Sequence, residues 1–364
     1  MKKILVDAYF QQNLGDDLFI KVLLDRYPNF EFHLLTAKKE YELTFRHYKN
    51  IKILKSSELK FGKWSYNLFY KLNESFLNFR QYDAYVLIGG SIFIQNSNWE
   101  EQLKERSYLP KKFNELGKKT FIIGANFGPY DNKLFHEKYK SFFTMFDDIC
   151  FRDKYSYNVF KESNNVRMGP DVIFNLKIEE IEKLDNTIGI SLIDLETREN
   201  LVKYSHNYNM KSKEIITGLV DAGYKIRLFS FCENEGDNKV INDILKNIDE
   251  NYLENIKVIN YKGNINEILK DLQECCTVIG SRFHSIILSL LFKSKTIPII
   301  YSEKTTYQLN DLNFKGNNYT IRDIDQLNLN IIKGIIEDDS FIPSFEFLES
   351  PEVQFKALDL INLY

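Results

Sequence analysis

The chain has 364 residues, enough for two domains of ordinary size. Its 44% hydrophobic and 27% charged residues are those of a globular protein and exclude a disordered chain or a fibre. A net charge of −3 gives no overall pull towards nucleic acid, and four cysteines without a CxxC pair argue against both a disulfide scaffold and a zinc site.

The N-terminus reads MKKILVDAYFQQN. Its apolar run is too short for the core of a signal peptide and is interrupted by Asp7, and no stretch nears the length that spans a bilayer. The expectation is a cytoplasmic protein without a visible anchor, which leaves peripheral association with the inner face of the membrane open.

Strands are predicted at 3–9 (KILVDAY), 30–35 (FEFHLL), 83–88 (DAYVLI), 120–124 (TFIIG) and 148–151 (DICF), with an amphipathic helix at 17–27 after the first. The rhythm repeats at 187–192 (TIGISL), 225–231 (KIRLFSF), 256–260 (IKVIN), 277–280 (TVIG) and 296–301 (TIPIIY). Helical patterns lie between them, including 212–222 and 265–275. Such alternation predicts parallel sheets covered by helices. The charged stretch 177–186 (KIEEIEKLDN) separates the two series. The expected fold is therefore α/β, two doubly wound, Rossmann-like domains at 1–178 and 187–340 facing across a cleft. A helical tail at 341–364 is expected to pack back on one of them.

Ligands of open parallel sheets bind beyond the carboxyl ends of the strands, so the segments after each strand are the candidates. After the first stands Gln12-Asn13-Leu14-Gly15-Asp16-Asp17, which lacks the GxGxxG of a dinucleotide loop. Its aspartates suit a helix start and would repel a phosphate there, so Asn13 and Asp16 are candidates for sugar hydroxyls or for capping. Gly89-Gly90-Ser91 follows the 83–88 strand, where paired glycines either let backbone N–H groups approach a ligand or serve a tight turn. Arg152 and Asp153 follow 148–151. The arginine suits a carboxylate or phosphate, or a salt bridge at a helix start, and the aspartate suits a cap.

Ser281-Arg282-Phe283-His284-Ser285 opens an apolar helix after 277–280. Ser281 is the expected N-cap, Arg282 and His284 fall in the first turn, and a helix start favours anions. His284 can move a proton near neutral pH. Asp171 lies in 169–174 (GPDVIF), expected as a turn and strand, and Tyr301 and Lys304 follow 296–301. The aromatic runs 64–70 and 142–146 could stack on sugar rings, although rings of this size are more often core. No HxH, HExxH or DxD cluster lies beside these segments, so neither a metal nor a cofactor is expected.

Taken in order, NLGDD (13–17), IGGS (88–91), FRDKYS (151–156), GPDVIF (169–174), SRFHS (281–285) and PIIYSEK (298–304) resemble the polysaccharide pyruvyl transferase family. The resemblance implies a fold similar to the GT-B glycosyltransferases. It implies phosphoenolpyruvate as donor and a sugar, free or lipid-linked, as acceptor, with a pyruvate ketal and phosphate as products. It maps the family's Arg-x-His onto Arg282 and His284, and the family's arginine before an acidic residue and a serine onto Arg152. These three are the expected catalytic residues, with Asn13, Gly15, Asp16, Gly89, Gly90, Ser91, Asp153, Ser281, Tyr301 and Lys304 expected to bind substrate. The N-terminal domain would take the acceptor and the C-terminal domain the donor. Two other readings stand beside this one: a glycosyltransferase of the same fold using a nucleotide sugar, and a saccharide-binding protein without turnover. Ala8, Phe10 and Gln12 stand where the family's first loop carries more glycine, and Ser91 where a further glycine is common. Both departures fall on the acceptor side.

Overall fold

Apolar runs bounded by turn residues become two parallel sheets in the structure, a computed structural model that describes residues 1–55, 58–61, 64–67, 78–198, 200–338 and 344–363. The chain divides into two compact units. The first comprises Met1–Phe10, Asp16–Leu176 and Leu348–Tyr364, and the second Gln11–Gly15 and Lys177–Phe347.

The strands of the first unit are β1 (Lys2–Ala8), β2 (Phe30–Thr36), β3 (Ile51–Lys55), the short hairpin β4 (Glu58–Phe61) and β5 (Trp64–Asn67), β6 (Ala84–Ile88), β7 (Lys119–Ala125), β8 (Asp148–Phe151) and β9 (Val166–Met168). All but the hairpin form one parallel sheet in the order β3-β2-β1-β6-β7-β8-β9. Its helices are α1 (Leu14–Arg26), α2 (Glu40–Thr44), α3 (Trp99–Glu115), α4 (Lys133–Phe143) and α5 (Lys154–Phe160). AYVLI of β6 is buried throughout, as a strand covered on both faces must be. One core is aromatic: Phe127 meets Phe160 edge-on at 4.8 Å and Phe93 meets Phe143 at 5.1 Å. The 142–146 run lies in this core and is not a sugar platform. Trp64–Asn67 is strand β5, and 68–70 lies outside the described residues.

The second unit carries β10 (Leu184–Ser191), β11 (Lys225–Ser230), β12 (Ile256–Asn260), β13 (Cys275–Gly280), β14 (Lys295–Ile300) and β15 (Tyr319–Thr320) in the order β12-β11-β10-β13-β14-β15. Its helices are α6 (Ser205–Asp221), α7 (Asp237–Leu245), α8 (Glu250–Leu253), α9 (Ile265–Gln273), α10 (Phe283–Leu291), α11 (Glu303–Asp311) and α12 (Leu329–Glu337). The core here is aliphatic, with Ile188, Ile190, Ile216, Leu228 and Ile279 at its centre.

In each sheet the strand order reverses once, between β1 and β6 and between β10 and β13. At such a switch point the connecting helices leave to opposite faces and open a crevice beyond the strand ends.

Two expectations need correction. The first helix begins at Leu14, three residues before 17, because the Asn13 side chain accepts from the Gly15 N–H and caps it early. GPDVIF is a turn leading into a 3-10 helix, Val172–Asn175, and not a strand. The Asp171 carboxylate accepts from the Ile173 N–H, which closes a helical turn there. The strand β3 was not anticipated, although IKILK alternates. The tail, with helix α13 (Lys356–Asp359), belongs to the first unit from Leu348 onward, while 339–343 lies outside the described residues.

Candidate functional site

In the first unit, the end of β6 and the end of β8 meet through Arg152. Its guanidinium donates to Asp171 Oδ2 at 2.9 Å, Asn126 Oδ1 at 2.7 Å and Ser91 Oγ at 3.2 Å. Arg152 and Asp171 are both buried, so their charges neutralise one another away from water. Gly90 is needed beneath them: a Cβ there would come within 2.6 Å of Arg152 Nη1. Gly90 and Ser91 thus form the floor of a buried arginine, a role that a turn motif alone does not reveal. Asp153 caps α5, accepting from the Ser156 N–H at 2.7 Å. Asp16 and Asp17 stand in the first turn of α1, both buried, and Asp17 accepts from the Tyr41 hydroxyl at 2.8 Å.

In the second unit, the ends of β10, β11, β13 and β14 converge on one cluster. Ser281 is not the N-cap of α10; Arg282 is, and its side chain does no capping. The cause lies in β10. The Ser191 hydroxyl accepts the N–H groups of both Ser281 and Arg282, at 3.0 and 3.2 Å, which carries the strand pairing one residue further. The Ser281 hydroxyl accepts from Tyr208 at 2.8 Å and is buried.

Arg282 is buried and held by two carboxylates that the sequence did not single out. Its Nε donates to both oxygens of Asp237 at 2.9 Å, its Nη2 to Asp237 and its Nη1 to Glu235. Asp237 in turn accepts from the Phe231 and Cys232 N–H groups at 2.9 and 3.0 Å. Glu235 is also reached by Arg198 at 3.4 Å and by the Asn13 amide at 3.2 Å. Burial pushes the Glu235 carboxyl up, but Arg282, Arg198 and Lys304 outweigh it and hold it below the usual range.

The loop Gln11–Gly15 belongs to this cluster. The Leu14 N–H donates to the Phe231 carbonyl at 3.0 Å, and the Gln11 carbonyl accepts from Asn234 at 2.9 Å. Gly15 lies against the imidazole of His284, where a Cβ would fall 1.5 Å from Nδ1. The structure therefore joins Asn13, Gly15, Arg282 and His284 in one place, as well as Tyr301 and Lys304. The Arg198 guanidinium lies over the Tyr301 ring at 4.8 Å, and the Lys304 ammonium lies 5.8 Å from the same ring. Burial raises the Tyr301 phenol, but Lys304, Arg198 and Arg282 together pull it below its ordinary value.

Sequence reasoning missed Arg198, Glu235 and Asp237. Arg198 follows β10, one of the two switch-point strands, and that rule applied to β10 is the signal that could have found it. Among the described residues, no group of three or more His, Cys, Asp or Glu is placed to hold a metal ion. No described helix is long and apolar enough to cross a membrane.

Comparison with known proteins adds three findings. The family model described as polysaccharide pyruvyl transferase matches residues 13–303. The amylovoran biosynthesis protein AmsJ of Erwinia amylovora is 22% identical over 258 residues, which are 62% of this chain and 58% of AmsJ; the chain thus spans little more than half of that relative. Among solved structures, the UDP-GlcNAc 2-epimerase of Methanocaldococcus jannaschii aligns over 100% of both chains with a TM-score of 0.61 and 12% identity. The ADP-heptose lipopolysaccharide heptosyltransferase II of E. coli aligns over 94% of this chain and 100% of its own with a TM-score of 0.51 and 12% identity. At such identities the likeness is one of fold, that of the GT-B type of glycosyltransferases and epimerases.

Proposed function

Because the chain belongs to the polysaccharide pyruvyl transferase family, we propose that it transfers the pyruvyl group of phosphoenolpyruvate to a sugar of a surface polysaccharide or its precursor, forming a ketal and releasing phosphate. The observation that supports this most is the start of α10, where His284 and Arg282 stand beside the β10–β13 switch point with Gly15 shaped to the imidazole. The second unit is the proposed donor side and the first unit the acceptor side.

The chemistry needs a proton at the donor's methylene carbon, which makes C2 electrophilic. His284 is the proposed acid. A sugar hydroxyl adds at C2, the C2–O bond to phosphate breaks, and a second hydroxyl adds and closes the ring. Of the two hydroxyl protons lost, one replaces that given by His284 and the other leaves on the phosphate, so the enzyme ends as it began. Asp237 and Glu235 hold the Arg282 guanidinium in place, so that it stands at the start of α10 as a fixed charge. Such preorganised charge stabilises charge shifts without reorganisation during the step. Arg152, whose charge is met by Asp171, holds the loop after β6 in shape and acts on the substrate through that loop.

The test is phosphate release from phosphoenolpyruvate across a panel of saccharide acceptors, free and lipid-linked. Acceptor-dependent release with a pyruvylated product is expected. No release with any acceptor, together with thermal protection by a uridine or adenosine diphosphate, would favour nucleotide-sugar chemistry of the kind named for the structural neighbours.

A further inference from the structure

The start of α11 holds buried donors that the chain does not satisfy. Ser302 is its N-cap, with extended backbone angles (φ −144°, ψ 148°), yet its side chain caps nothing. The Thr305 N–H goes to the Ser302 carbonyl at 3.1 Å instead. Ser302 Oγ, Thr305 Oγ1 and Arg198 Nε are buried and meet no hydrogen-bond partner among the described residues; nor does Gln308 Oε1, one turn further along. Thr305 and Gln308 are each 2% exposed. A buried polar group left without a partner pays its desolvation with nothing in return. The Ser302 and Thr305 hydroxyls at this helix start can donate, and so can the Nε of Arg198, whose guanidinium lies over the ring of Tyr301, the residue before Ser302; an anion with several acceptor oxygens would satisfy them.

The charges agree. Arg198, Arg282 and Lys304 all act on Glu235, and together they hold its carboxyl below the usual range. Arg198 and Lys304 both lie against the Tyr301 ring, at 4.8 and 5.8 Å from its centroid. The lowered Tyr301 phenol reports the same positive potential. Glu303, in the first turn, is exposed, and its carboxylate accepts from Tyr307.

We propose that the start of α11, through Ser302, Thr305, Arg198 and Lys304, seats a phosphoryl group. Resting on the function proposed above, this group is the phosphate of the donor, and its carboxylate is left to the start of α10. The two helix starts then divide the donor's two anionic ends.

The test is calorimetric titration of the full chain and of the double variant Ser302→Ala/Thr305→Val, with inorganic phosphate, phosphoenolpyruvate and pyruvate as probes. The double variant is expected to bind phosphate and phosphoenolpyruvate at least tenfold more weakly and pyruvate within twofold of the parent. Thr305→Ser, which keeps the hydroxyl, is expected to bind like the parent. The ligand-free double variant should melt no lower than the parent, since it loses only unsatisfied hydroxyls, and this guards against misfolding as the cause. Unchanged phosphate and phosphoenolpyruvate affinity in the double variant overturns the seat, and so does an equal loss for pyruvate. If acceptor-dependent turnover is intact in the parent while the variant binds as the parent does, the seat fails and the function stands. If phosphate binding depends on Ser302 and Thr305 but no acceptor yields ketal, the seat stands and the function fails. A parent that binds neither anion refutes both.

Discussion

At the residue scale, the contact between Gly15 and His284 is the most exacting in the candidate site. A methyl group at position 15 and the imidazole cannot occupy the same space. We predict that Gly15→Ala displaces the ring and lowers turnover by about 10²–10⁴-fold, the range for loss of a general acid, and that His284→Gln does the same. Affinity for phosphoenolpyruvate should change little in either. Near-normal turnover of a folded Gly15→Ala protein in the phosphate-release assay would remove His284 from the chemistry. Arg282 calls for a different experiment. Replacing it with alanine strands Asp237 and Glu235, and breaking a buried pair from one side costs about 3–5 kcal/mol. Arg282→Ala is therefore expected to unfold the second unit before it informs on binding. Arg282→Lys keeps the charge but not the fork, and should weaken donor binding with a smaller loss of stability. A third residue outside the site reports on pH. Burial pushes the Asp7 carboxyl up to about 6, against smaller lowering by Arg106 and the Tyr85 hydrogen bond. A raised folded-state value means that the stability Asp7 contributes is full below about 4 and is lost as pH rises through 6. Asp7→Asn should flatten the stability profile between pH 4 and 6 and gain roughly 3 kcal/mol at pH 7. Equal pH slopes for the two proteins in urea melts would contradict this.

At the element scale, the tail is held to the first unit by specific bonds and not by apolar contact alone. Gln354 is fully buried; its Oε1 accepts from the Gly124 N–H at 3.0 Å, and its Nε2 donates to the Gly169 and Pro170 carbonyls at 3.0 and 2.8 Å. Arg26 clasps Asp359 at 3.2 and 2.8 Å, and Tyr27 donates to the same carboxylate at 2.6 Å. We predict that Gln354→Ala destabilises the protein by about 2–3 kcal/mol, since several buried backbone groups lose partners together, a fall in midpoint that a denaturant melt would register. An unchanged midpoint would mean that the tail is dispensable. This element shows what could be read beforehand. The periodicity of 352–363 announced a helical tail, but only the fold brings Gln354 to β7 and to the segment after β9. The strands were legible for the opposite reason. A buried parallel strand must be an apolar run between breakers, as AYVLI before Gly89 and Gly90 is. The motifs at 13–17, 88–91, 151–156, 281–285 and 301–304 were found because each follows such a run. Glu235 and Asp237 were invisible because their partner, Arg282, is 47 and 45 residues away along the chain. Ser281 was misassigned because the capping rule sees the local sequence and not the Ser191 hydroxyl on a neighbouring strand.

At the scale of the whole molecule, a net charge of −3 works against binding a multiply charged anion, so binding must come from a local excess of cations. Such cations gather in the second unit, where Arg198, Arg282 and Lys304 stand about Glu235. Two consequences follow for the intact protein. Because donors that are partly buried are screened less than surface charges, phosphoenolpyruvate should still bind at 0.15 M salt, with only a modest loss relative to low salt. Because arginine, lysine and a helix start supply the charge, no divalent cation should be required to hold the donor. We therefore predict that phosphoenolpyruvate at a hundred times its Kd stabilises the protein by about 2.7 kcal/mol, the mass-action value for one site. The gain should be the same in the presence of a chelator, and turnover should survive the chelator as well. The check is a set of thermal melts with and without donor, in chelator and in magnesium, alongside the phosphate-release assay. A donor effect that vanishes in chelator and returns with magnesium or manganese would show that a metal bridges the donor to the protein, and the account of a purely cationic seat would have to be abandoned.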